Sequence, residues 1–168
     1  FVERGDGTNV YVGKSTPVDT DEVVAVVDQT FPQAARDGLT TLFPRLMDYY
    51  RSELGALERK PMLFASRDAN YPEGGYGFQG GTLPDQVFMH LYGRNEAFDH
   101  ADFGQRMDWF FAHEAAHLYQ RPRPLANAGD TWIHEGGADA MAALALRDLG
   151  LLGAAALATQ LDDNVDAC

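Results

Sequence analysis

The sequence predicts an α+β fold, with strand candidates in its first half and helices through its second. Three observations carry this. Apolar residues recur at helical spacing over residues 33–54. Two short apolar runs, 61–65 and 86–92, are bounded by Gly, Pro and polar residues in the manner of buried strands. Two further helical patterns, 103–120 and 130–148, follow close together. A chain of 168 residues, 45% hydrophobic and 11% aromatic, can bury one sizeable core, which predicts one globular domain or one lobe of something larger.

In chain order, residues 9–13 form a β-type run, Asn-Val-Tyr-Val-Gly, followed by the turn-like Ser15-Thr16-Pro17. Val23, Val24, Val26 and Val27 fit either a strand or a helix, with strand the preferred reading because all are β-branched. Residues 1–30 therefore read as the tail of a preceding β region or a linker, and residues 31–168 as the main domain. Between residues 33 and 54 the helical stripe is Ala34, Leu39, Leu42, Phe43, Leu46, Met47 and Tyr50, with Gly55 as its stop. Pro44 is expected to kink or restart that helix. Residues 70–84 are rich in glycine and proline and read as a long loop, while 86–92 read as a strand and 93–104 as polar loop. Asp102 is the expected N-cap of the 103–120 helix, and Pro122 and Pro124 end it.

The net charge of -12 argues against nucleic acid or an anionic membrane as partner. The longest apolar stretch, 138–159, carries Asp139, Arg147 and Asp148 and so fails as a membrane span. Cys168 is the only cysteine, which excludes an intrachain disulfide or a thiolate metal site. The N-terminus has no basic region followed by an apolar one, so no signal peptide is legible, and compartment stays open. Two lysines against eleven arginines suggest a GC-rich bacterial genome.

The chemistry-bearing motif is His113-Glu114-Ala115-Ala116-His117. Two histidines four apart share one helix face, so both imidazoles can reach one zinc ion at about 2.0–2.1 Å, with a glutamate beside them. A catalytic zinc needs a third protein ligand and an open fourth position. Glu135, on the next predicted helix in Trp132-Ile133-His134-Glu135-Gly136-Gly137-Ala138-Asp139, supplies it. The bland alternative is a chance pair of polar residues on an amphipathic helix, which the joint match to Glu135 and Asp139 disfavours.

In this combination the chain resembles the gluzincin zinc metallopeptidases, which include thermolysin-like and aminopeptidase-type enzymes. The resemblance covers roughly residues 30–150. It implies a thermolysin-like catalytic core: a small mixed sheet with an edge strand above the zinc-motif helix, followed by helices. It implies Zn2+ held by His113, His117 and Glu135, with Glu114 as general base. Asp139 would hold the first zinc histidine through its other ring nitrogen. Residues 87–91, including Val87, Phe88, Met89 and His90, would be the edge that pairs with a peptide or protein substrate. His134 would face substrate or solvent, with solvent preferred.

The implied reaction is peptide-bond hydrolysis by a metal-activated water, with aminopeptidase-like activity implied by overall likeness alone. The Gly-x-Met-Glu-Asn segment that reads a free amino terminus is absent, and Glu73-Gly74-Gly75-Tyr76-Gly77 stands nearest it. No tyrosine follows Tyr119, so the oxyanion donor must be Tyr76, Tyr92, His90 or His134, or come from a missing C-terminal helical segment, or activity is lost. The alternative reading is a non-catalytic zinc-bearing peptide-binding or scaffold domain, and a third is a hydrolase of non-peptide amides or epoxides. Exo or endo mode, side-chain preference and oligomeric state are not legible.

Overall fold

The computed structural model describes residues 10–70, 75–120 and 131–159. Its strands are β1 (Val18–Asp19), β2 (Val24–Val27), β3 (Met62–Asp68), β4 (Tyr76–Leu83) and β5 (Gln86–Gly93). Its longer helices are α1 (Gln33–Leu54), α2 (Phe103–His117) and α3 (Thr131–Asp148), with a 3-10 turn at Asn95–Asp99. The α+β expectation and the mixed sheet are both observed. The strand order is β1-β2-β3-β5-β4, with β2, β3 and β5 parallel and the outer strands β1 and β4 antiparallel to their neighbours.

Register aligns Ala25 with Leu63 and Leu63 with Val87, so these residues share one sheet face with Val27, Ala65, Met89 and Leu91. That face shares one buried core with Phe43, Leu46 and Met47 of α1 and Phe111 and Ala115 of α2, and Ala138, Ala142 and Leu146 join that core from α3, which packs against α2 and α1. The stripe predicted on α1 is the buried one, apart from exposed Ala34. Tyr50 fixes α1 to α2 by donating its hydroxyl to Ala112 O at 2.9 Å, and burial pushes that hydroxyl's pKa upward. Helix α1 runs through Pro44 as a single element rather than restarting there, and ends at Gly55, whose φ of 93° is open to glycine.

Four expectations are corrected. The β-type run at 10–13 forms no strand; Val10 and Val12 are exposed, and pairing begins at Val18. The boundary expected after residue 30 is not a division of the fold, because β2 pairs with β3 and Val23, Ala25 and Val27 join the core. Asp102 does not cap α2 through its side chain; its carboxylate accepts a hydrogen bond from Tyr76 Oη at 3.1 Å and lies 3.7 Å from Arg106.

The fourth correction bears on the site. Much of the expected loop at 70–84 is β4, a strand despite its glycines, hydrogen-bonded along its length to β5. Because β4 joins one side of β5 and β3 the other, β5 is interior and has no free backbone edge. The edge strand beside α2 is β4. Gly80 explains its composition: a Cβ there would stand 2.2 Å from Phe88 O and 2.5 Å from the Phe110 ring, so only a residue without one lets β4 lie this close to α2. Glu73 and the helix-ending prolines Pro122 and Pro124 lie outside the described residues.

Candidate metal centre

Helix α2 brings His113 and His117 onto one face, one turn apart, and α3 returns beside α2 to present Glu135. The three expected ligands meet. His113 Nε2 lies 3.1 Å from Glu135 Oε2, His117 Nε2 lies 3.4 Å from the same oxygen, and the two Nε2 atoms are 3.0 Å apart. A tetrahedral ion with bonds of about 2.0–2.1 Å holds its donor atoms about 3.3–3.4 Å from one another, so this triangle has the size of one face of such a site.

The outer partners decide which atoms are lone pairs. Asp139 Oδ1 lies 2.8 Å from His113 Nδ1, and a carboxylate only accepts, so that nitrogen carries the proton and donates. His117 Nδ1 donates to Gln120 Oε1 at 2.6 Å; the amide orientation follows because Gln120 Nε2 donates to His134 O at 2.8 Å. With both rings neutral, as metal ligation requires, both Nε2 atoms are then acceptors, facing each other and a carboxylate oxygen. Three convergent acceptors repel unless a cation lies among them. His113, His117 and Glu135 together can hold a metal ion.

Electrostatics agree with a ligand set of one anion and imidazoles steadied by acids. Burial works against charge on Glu135, but His117, His134 and His113 outweigh it and hold its carboxyl below the ordinary range. Burial likewise disfavours protonated His113, yet the hydrogen bond it donates to Asp139 and the charges of Asp139, Glu114 and Glu135 together raise its pKa. Asp139 thus sits where it was expected, fixing the tautomer that turns Nε2 toward Glu135.

Glu114 points toward β4. Thr82 Oγ1 lies 2.9 Å from Glu114 Oε2 and 2.6 Å from Glu114 O, so this one hydroxyl ties the carboxylate and its helix to the edge strand. Thr82 was not foreseen, since its stretch read as loop. Gln120 was also missed, although its place three residues after His117, on the same helix face, is the signal that would find it. Gln120 spans both ligand-bearing helices, with Gly137 leaving room: a Cβ there would be 3.1 Å from Gln120 Nε2. Gln120→Ala should therefore weaken metal affinity by about 10–100-fold, the usual effect of removing a partner that orients a ligand. Chelator competition would measure this, and unchanged affinity would remove the role.

His134 does not simply face solvent: its ring stacks on His117 with centroids 4.5 Å apart and planes 13° from parallel. The other oxyanion candidates lie elsewhere. Tyr76 Oη is engaged by Asp102 and Arg106, and Tyr92 Oη accepts from Gln79 Nε2. His90 is exposed and pairs with Ser66 Oγ on the sheet face opposite Val87, Met89 and Leu91, so its ring points away from the helices. Val87 and Met89 are fully buried and Phe88 shares the face of His90, which removes these four as a substrate edge.

Comparison with family models, with curated proteins and with solved structures finds no match. Among the described residues no helix is long and apolar enough to cross a membrane.

Proposed function

We propose that this chain is a zinc-dependent hydrolase of peptide bonds, of the gluzincin type, and that its core is thermolysin-like. The observation that carries the reading is the triangle of acceptors from His113, His117 and Glu135, with Glu114 adjoining it on α2. Two imidazoles and one carboxylate suit zinc and leave a fourth position open, as catalytic zinc sites do.

Bound there, zinc supplies Lewis-acid polarisation of the scissile carbonyl and a lowered pKa for water. Glu114 takes the proton of the attacking water and passes it to the leaving amine. Thr82 holds the Glu114 carboxylate through its hydroxyl, limiting the orientations it can adopt. His134, against His117, takes the oxyanion-donor role. The substrate main chain adds to the edge of β4 that is unpaired among the described residues, which supplies hydrogen bonds without demanding particular side chains.

The test is a peptide library incubated with the zinc-loaded chain, with products read by mass spectrometry. Cleavage that stops on removing zinc is expected. Saturable binding of peptides with no cleavage would instead establish a zinc-bearing peptide-binding domain.

A further inference from the structure

We infer that the pocket beside His113 is a specificity pocket that selects an aromatic side chain on a residue flanking the cleaved bond. This deepens the hydrolase reading and rests on it. The pocket has a volume of about 410 Å³ and is lined by Phe78, Gln105, Arg106, Trp109, Phe110, His113 and Asp139. That is within the range of small-molecule sites.

Its position follows from helix geometry. Arg106, Trp109, Phe110 and His113 are spaced by three, four and seven residues, so they form one stripe running two turns along α2. Phe78 closes the pocket from β4 and Asp139 from α3. The stripe ends at a metal ligand. A substrate whose carbonyl reaches the metal therefore has a neighbouring side chain within reach of the pocket.

Its lining sets the chemistry. The Phe78 and Phe110 rings meet edge to face, with centroids 5.3 Å apart at 73°. Trp109 adds a half-buried indole. At the far end the Arg106 guanidinium lies 5.3 Å from the Phe78 centroid and 5.2 Å from that of Tyr76. A ring entering this space can pack in offset or edge-to-face geometry and meets a cation beyond. Both charges of the lining are already engaged, Arg106 by Asp102 and Tyr76 and Asp139 by His113, so a charged side chain would give up its water for partners that other groups hold.

Two measurements test it. The first compares kcat/KM of the zinc-loaded chain on peptides differing only in the flanking residue, Phe, Tyr, Leu, Ala, Glu or Lys. Aromatic peptides should exceed the alanine peptide by about tenfold or more, and Trp109→Leu or Phe78→Leu should bring the ratio toward one. The second does not need turnover. Of the chain's two tryptophans, Trp132 is exposed outside the pocket, so Trp132→Phe leaves Trp109 as the sole reporter. N-acetylphenylalaninamide should change its emission saturably, and N-acetylalaninamide at the same concentrations should not. Equal turnover of the Phe and Ala peptides, or equal response to the two amides, overturns the pocket. If no peptide is cleaved, the titration still decides the pocket, and it is the hydrolase reading that falls.

Discussion

Glu114→Gln is expected to leave metal binding intact and to lower kcat/KM by about 10²–10⁴-fold, the range that a positioned general base contributes. Gln keeps the shape of the side chain and can still accept from Thr82 Oγ1, so the helix and its ligands should stay in place. It cannot take a proton from water. The combination matters more than the rate alone: loss of turnover together with loss of metal would implicate the site's integrity, whereas loss of turnover at full occupancy isolates proton transfer. Turnover equal to that of the parent chain would remove Glu114 from the mechanism.

The second large effect is on stability. Three acceptor atoms within 3.4 Å of one another repel, and an ion among them reverses the sign of that interaction. At a free zinc concentration about 1,000 times Kd, binding to the folded chain alone adds about 4 kcal/mol. For a chain of this size that corresponds to a rise in Tm of roughly 8–16 °C. The rise should disappear in His117→Ala, which removes one ligand and the ring on which His134 stacks. A thermal scan with and without zinc measures both. Equal shifts in the two chains would place the ion somewhere else.

The site was more legible in the sequence than the sheet around it. His113 and His117 are one helical turn apart, so their common face follows from 3.6 residues per turn without any knowledge of tertiary structure. Glu135 and Asp139 are likewise one turn apart on α3, which is why one can meet the ring nitrogens while the other meets His113 from behind. Strand order is a different kind of property. Which of β4 and β5 lies at the edge depends on pairing between segments, and the composition of β4 argued against a strand at all. One of its glycines serves a close approach: Gly80 lets the backbone lie against Phe88 O and Phe110. Composition recorded the absence of side chains, and only the packing of α2 beneath shows why they are absent.

Asp102 and His134 illustrate the same limit on a smaller scale. An aspartate just before a helix is a reasonable N-cap, but here a tyrosine from β4 and an arginine one turn along α2 compete for it. His134 lies about 100° around α3 from Glu135, which suggested solvent; the return of α3 against α2 stacks it on His117 instead. Both outcomes depend on neighbours contributed by another element. Gln120 is the converse case, a residue whose use could have been read from its spacing but which belongs to no short motif.

The most direct test of the central claim is metal content. The chain purified without chelator, or reconstituted with zinc and desalted, should carry one zinc per chain by elemental analysis, and His113→Ala, His117→Ala and Glu135→Ala should each reduce it. No bound zinc after reconstitution, or one zinc per chain undiminished in all three variants, would contradict the account.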